Sequence, residues 1–171
     1  MNRIIKVFFL AAALFAVNGF ASAQVKIAHV NTNEVMNAMP EKAKAEKTLE
    51  NYYNELQEQL KVMYNEYTSK LQDYQANAET MSNLVKQSKE KELVDLESRI
   101  TAFQANAENE FEAKRAELLA PLLDKIQTAI NAVGKEKGFT YILDVATGTT
   151  VYIGTDAVDV TKDVKAKLGI K

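Results

Sequence analysis

Cysteine is absent from all 171 residues. A chain without disulfides must hold itself together by burial or by association with other chains. Proline occurs only twice, at Pro40 and Pro121, and no glycine stands between them. Residues 41–120 therefore contain neither of the two strongest breakers of regular structure. Histidine occurs once, at His29, and a lone histidine in a strand-like run reads as structural rather than catalytic or metal-binding. No P-loop, GxGxxG or glycine-rich phosphate cradle is present, so nothing in the chain points to nucleotide chemistry. Basic excess is lacking too. The formal charge is −2, which argues against a general nucleic-acid binder with its cationic face for phosphates.

The first 23 residues read as a secretory signal peptide. Arg3 and Lys6 give a basic start, Val7 to Val17 is an apolar run of 11 residues, and Ala21-Ser22-Ala23 fits the small-x-small cleavage pattern. The run is too short to span a bilayer as a helix, which makes an uncleaved anchor the lesser alternative. Cleavage between Ala23 and Gln24 would remove two cations and no anion, taking the formal charge to −4. No cysteine follows the cut to carry a lipid, so no stable membrane anchor is expected after cleavage.

The breaker-free stretch reads as two long amphipathic helices joined by a turn within residues 79–88. On the outgoing half, apolar residues fall at Leu49, Tyr53, Leu56, Leu60, Met63, Tyr67, Leu71, Tyr74, Ala78 and Met81. On the return half they fall at Leu93, Leu96, Ile100, Phe103, Ala107, Phe111 and Leu118. The steps alternate between three and four, with a doubled four at Met63–Tyr67–Leu71 and another at Phe103–Ala107–Phe111. These stutters bring the average close to 3.6, so the arms are expected to be nearly straight rather than tightly supercoiled. An arm of roughly 38 residues would reach about 57 Å. Residues 41–119 carry 11 basic and 16 acidic side chains, so the arms are net acidic.

The rest of the chain reads as a small base. Residues 24–40 supply a first strand (Val25 to Asn31) and one or two helical turns (Glu34 to Met39), with Asn31-Thr32-Asn33 as capping residues. Residues 121–171 supply a base helix, a β-hairpin and a C-terminal helix. Pro121 is expected to kink or restart the return helix, and Gly138 to end it after Lys135 and Lys137. Phe139 to Val145 and Thr150 to Ile153 read as two strands, with Thr147-Gly148-Thr149 as the hairpin turn. Asp144, the one acid in an apolar setting, is expected to cap or end its strand. Asp159 to Leu168 reads as a short amphipathic helix. The expected fold is α+β: a long antiparallel helical hairpin of residues 41–120 projecting from a small sheet. Such a base is thin for so long a projection. Oligomerisation through the sheet would add burial, with Ile27, Val30, Tyr141, Leu143, Val151 and Ile153 as candidate contacts.

No catalytic, cofactor or metal constellation emerges. Glu90 with Glu92, or Glu108 with Glu110 and Glu112, are two apart on a helix and point to different faces, as a solvated surface does. The residues that the hairpin seam leaves unexplained are Tyr52 and Tyr64 on its two sides, Val62 opposite it, and Met81, Leu84 and Val85 near the tip. They are candidate contacts for non-native chains, because tyrosine and methionine offer large, adaptable apolar area. Ordinary scatter of exposed apolar residues is the better account of any one of them, and only the set as a whole weighs evenly against it.

With those residues in view, the chain resembles the OmpH/Skp family of periplasmic chaperones for outer-membrane proteins. The resemblance is carried by KIAHVNTNEVMNAMPE, the uninterrupted charged hairpin, AELLAPLLDKIQTAINAVGKEKGFTYILDV and the closing DVTKDVKAKLG. It implies a periplasmic homotrimer whose three hairpins hang from a central β body and hold unfolded outer-membrane β-barrel proteins in a cavity, without ATP or any cofactor. One departure stands out. The enterobacterial type is basic and this chain is acidic, so no lipid-site residue carries over and clients are expected to bind through apolar and aromatic contacts. A coiled-coil adaptor that scaffolds an envelope complex remains the alternative reading of the same hairpin.

Overall fold

The structure, a computed structural model, describes residues 25–170; the expected signal peptide and its cut between Ala23 and Gln24 lie outside the described residues. The elements run β1 (Ile27–Val30), α1 (Thr32–Ala38), α2 (Pro40–Asn77), α3 (Asn83–Lys137), β2 (Tyr141–Asp144), β3 (Val158–Asp159) and α4 (Thr161–Lys167). At 38 and 55 residues, α2 and α3 reach about 57 and 82 Å. They pack along one another as the hairpin arm.

Local chemistry explains most boundaries. The Asn31 side chain caps α1 by accepting the Glu34 amide. Pro40 occupies the first turn of α2, where a missing N–H costs nothing. The arm turns at residues 78–82, slightly earlier than the spacing suggested. The Asn77 carbonyl gathers the amides of Thr80 and Met81 and the Thr80 hydroxyl, and Ser82 then caps α3 at the Val85 amide. Those side-chain and backbone bonds close the turn without glycine. At the other end of α3, Gly138 adopts the left-handed conformation (φ 66°) and returns its amide to the Gly134 carbonyl, as a glycine C-cap does.

Pro121 does not restart the helix. α3 runs unbroken through it, although the ring removes one backbone hydrogen bond. The reason lies on either side of the ring. Leu119 packs against the core before it, and Leu122, Ile126, Ala129 and Val133 are buried after it, so the helix is held by its apolar face across the defect. Arm and base helix are therefore one element.

The sheet differs most from expectation. Its order is β2-β1-β3, and both pairs are parallel. The expected β-hairpin does not form. Thr150 to Ile153 is not a strand, and Thr147 to Thr149 does not join two strands. Instead Asp144 ends β2 by accepting the Thr32 amide (3.2 Å), the Thr32 hydroxyl (2.6 Å) and the Ala146 amide (3.0 Å). The chain then loops out through residues 145–157 and returns to β1 on its opposite side as β3, a strand of two residues. Asp159 belongs to β3 and not to the final helix; its carboxylate accepts the Thr161 amide at the start of α4 (2.8 Å).

The core lies between the inner face of β1 and the helices of the base. Ala28 and Val30 from β1, Val35 from α1, Met39, four residues of α3, and Val160 and Val164 meet there. Val30, expected at an oligomer contact, is instead a core residue of its own chain. Strand alternation requires this, because Ala28 and Val30 share one face and Ile27 and His29 the other. Ion pairs ring the base: Lys165 with Glu34 (2.7 Å), Lys137 with Asp163 (2.6 Å), and Lys167 with Glu136.

Candidate functional site

Among the described residues, two apolar surfaces are left uncovered. The first is the arm. Its seam buries Leu56 from α2 and Leu93, Leu96 and Ile100 from α3, but the other seam residues of the middle and distal arm stay half-buried, and Tyr53 is exposed. Two helices alone cannot enclose a side chain on all sides. Polar clasps across the seam supplement the packing. Nearest the tip, Asp73 pairs with Lys89 (3.0 Å), the Tyr74 hydroxyl donates to Glu90 (2.5 Å), and Lys70 pairs with Glu92 (2.5 Å). Further up, Gln104 donates to the Tyr64 hydroxyl (3.1 Å) and Tyr52 donates to Glu110 (3.0 Å). At the root Lys125 meets Glu41 (3.0 Å).

The clasps set the ionisation of their members. Hydrogen bonding to Glu110 and Glu90 raises the Tyr52 and Tyr74 phenols. The hydrogen bond to Lys89 lowers Asp73, and the bonds within the Lys70–Glu92 pair lower the acid and raise the base. The carboxylates that the sequence placed close together are thus dispersed: Glu90 goes to Tyr74, Glu92 to Lys70, Glu110 to Tyr52 and Glu112 to Arg115. Among the described residues no three potential metal ligands come together.

Between the clasps the arm opens. A groove of about 810 Å³ has Val62, Met63, Ala102 and Phe103 as its apolar floor, with Glu55, Glu58 and Arg99 at its polar edge. A second of about 330 Å³ lies against Tyr53, Leu56, Leu60, Phe103, Ala107 and Phe111. Phe103 is common to both. The smaller groove follows the Phe103–Ala107–Phe111 stutter of α3, where Ala107 is too small to fill the gap between the two phenylalanines, and the larger one borders it at Phe103. Tyr53 meets Phe111 edge-to-face across the smaller groove, ring centroids 5.9 Å apart.

Of the six arm candidates, Val62 is on a groove wall and 58% exposed; Leu84 (78% exposed) and Val85 are exposed on the first turn of α3, with Met81 half-buried beside them. Tyr52 and Tyr64 are not spare surface. Their hydroxyls bond across the two helices; Tyr52 is half-buried and Tyr64 is exposed. Sequence reasoning missed the grooves themselves and the exposed Val94 and Leu123. The stutters, together with a single alanine between two phenylalanines, were the available signal.

The second open surface is the outer face of the sheet. Ile27, Tyr141 and Leu143 are exposed there, and from the adjoining loop come Ile153, Tyr152 (83% exposed) and Val151 (99%), while Val158, in register with core-facing Ala28, is exposed at the β3 edge. A cleft of about 200 Å³ runs between the strands and the 150–157 segment, with His29 in its wall. Asp159 stands beside it. Burial pushes this carboxyl up, but the Thr161 hydroxyl and amide outweigh burial, helped by His29 and Lys162, and leave it below the usual carboxylate range. Among the described residues no helix is long and apolar enough to cross a membrane.

A long, open-seamed helical hairpin on a small parallel sheet, with apolar area left uncovered on the arm and on the sheet among the described residues, defines the class of this protein by its fold. The comparisons agree with that class. The chain belongs to the OmpH-like family, whose model, described as outer membrane protein (OmpH-like), matches residues 26–168. Among curated relatives, the chaperone protein Skp of Pectobacterium atrosepticum is 26% identical over 151 residues, covering 88% of this chain and 90% of that protein. The Skp of Photorhabdus laumondii is 28% identical over 124 residues, covering 72% and 75%. A crystal structure of an OmpH-like protein from Caulobacter crescentus superposes with a TM-score of 0.65 at 16% identity, covering 84% of this chain and 83% of that one. That likeness is one of fold.

Proposed function

We propose that this protein is a periplasmic, ATP-independent holdase that keeps unfolded outer-membrane β-barrel proteins from aggregating between export and insertion. It acts as a homotrimer joined at the sheet, with three arms enclosing the client. The observation that carries the reading is the unclosed mid-arm seam around Phe103, which offers apolar and aromatic area on an acidic arm. The relatives named chaperone point the same way. Each groove is a weak site. Three arms on one base raise the effective concentration of every second and third contact, so weak sites sum to useful affinity. Client capture then suppresses aggregation by mass action, without an energy source. Val62, Met81, Leu84 and Val85, with the rings of Tyr52 and Tyr64, line the client side of the arms.

The test is suppression of aggregation of an unfolded porin by stoichiometric protein, with the oligomer mass measured in parallel. Phe103→Ser should weaken porin capture roughly tenfold, the loss typical of a central aromatic contact, while the oligomer mass stays the same. Raising salt should change wild-type affinity little; a steep loss with salt would transfer the mechanism to electrostatics. The adaptor reading has one observation in its favour: the clustered clasps near the tip, which stiffen the distal arm as a spacer would need. It requires a folded partner and no suppression of porin aggregation.

A further inference from the structure

We infer that the outer face of the sheet is a proton-sensitive joint between copies of this chain, with the imidazole of His29 as its sensor. The inference rests on the assembly reading above and adds a control to it. The occupant of the face is a second copy of this chain, because what is missing there is the completion of this chain's own sheet. Both β2 and β3 have a free edge among the described residues. Strands of four, four and two residues are short for an independent sheet. The segment Thr150 to Ile153 has strand composition, lies beside the face and has no strand partner among the described residues, so it is available to pair with a neighbour's edge.

His29 is the polar exception on this apolar surface. β2 places Leu143 in register beside it and β3 places Asp159. Nε2 lies 3.9 Å from the Asp159 carboxylate. From the loop comes the Tyr152 phenol, and no other charged or titratable side chain lines the cleft. Lys162 acts on Asp159 from α4. Lys26, earlier in the same strand, is turned to the Lys137 carbonyl and the Phe139 ring.

The two members of the pair differ in what they still have to lose. The His29 side chain is 16% exposed, and the Asp159 side chain 60%. Covering the face costs the imidazole little further hydration. It removes much of the water that screens Asp159, so the attraction between them grows several-fold as the local dielectric falls. With a neutral imidazole the joint covers a carboxylate that keeps its Thr161 hydrogen bonds but has no facing cation from β1, which is unfavourable. With an imidazolium it buries a pair. Assembly therefore takes up a proton at His29. By linkage this contribution is fully present at acid pH and is lost as pH rises through the range in which the imidazole of the assembled form gives up its proton.

Sedimentation velocity on the purified protein, in dilution series at constant ionic strength, tests this. The concentration at half-dissociation should rise several-fold from about pH 5.5 to about pH 8, the window in which an imidazole changes charge. His29→Ile and His29→Gln should both assemble with no such dependence. Asp159→Asn, which retains an oxygen for the Thr161 amide, should flatten it as well. A wild-type dependence that persists in all three variants overturns the sensor and leaves the assembly reading intact. A wild-type protein that assembles equally at every pH does the same. A protein monomeric throughout, at concentrations up to those of the aggregation assay, overturns both.

Discussion

Ile126 in the base and Leu96 in the arm are almost equally covered, at 3% and 2% exposed, yet their surroundings have little in common. Ile126 sits in a cluster drawn from β1, α1, α3, α4 and the residues between them. Leu96 has one facing helix, α2, and solvent-exposed neighbours on both flanks. The base is enclosed and its side chains are fixed by several elements at once. The arm is a seam between two rods, held as much by clasps at its rim as by packing. Equal burial therefore does not mean equal rigidity, and the function proposed above needs the difference. The base must keep its shape to carry the arms, while the arms must leave apolar area uncovered to be useful.

The largest effect should come from truncating one of that pair. Ile126→Ala leaves a cavity that five surrounding segments hold open, and should lower unfolding stability by about 2–5 kcal/mol. Leu96→Ala removes a similar volume, but α2 and α3 can close on the gap, so its cost should be at or below the bottom of that range. Urea titrations of the two variants settle the order. If Leu96→Ala costs as much as Ile126→Ala, the arm is as constrained as the base and the contrast fails.

The hairpin was legible in the sequence for the same reason that it is simple. Both partners of every seam contact lie on long uninterrupted helices, and the 3.6-residue period records which side chains face inward. The arm's stutters were legible too, but the grooves they open depend on the distance between two helices and on how Phe103 sits between Ala107 and Met63, which one-dimensional spacing does not contain. The sheet was misread where its pairing is least local. β1 and β2 are separated by the entire arm, and β3 is only Val158 and Asp159, too short to show an alternation. Thr150 to Ile153 has the β-branched and aromatic composition of a strand and yet pairs with no strand among the described residues. Composition reports suitability for a strand, and partners decide whether one forms. Val30 differs from expectation by a smaller step: in a strand of four residues the choice of face turns on which neighbour covers it, and the spacing alone does not show that the base helices cover the Ala28–Val30 side.

Acid should separate the two regions next. Asp73 and Glu92 are lowered by Lys89 and Lys70 from ordinary values of 3.8 and 4.5. A carboxylate lowered in the folded state contributes stability above its unfolded value, and that contribution disappears as pH falls through the folded one. The distal clasps should therefore weaken below about pH 4. A pair of spectroscopic labels at Ala76 and Lys86 should report separation of the arm ends in that window while the near-ultraviolet signal of the base persists. Lys70→Ala with Lys89→Ala should separate the labels already at neutral pH. Arm and base melting together in wild type, with no separation of the labels beforehand, would mean that the clasps do not hold the tip.

The smallest change, Tyr52→Phe, decides between two uses of one side chain. The Tyr52 hydroxyl bonds Glu110 across the seam, while the residue as a whole is only half-buried and leaves part of its ring to solvent. Phenylalanine deletes the clasp and preserves the ring. If the ring is what clients touch, porin affinity should stay within about twofold, well under the 1.4 kcal/mol that a tenfold change represents. Tyr52→Ser, which keeps a hydroxyl but loses the ring, should weaken capture more than Tyr52→Phe does. The opposite order would assign Tyr52 to holding the arm together and remove it from the client surface, leaving Val62, Phe103 and the Leu84–Val85 tip to carry the contact.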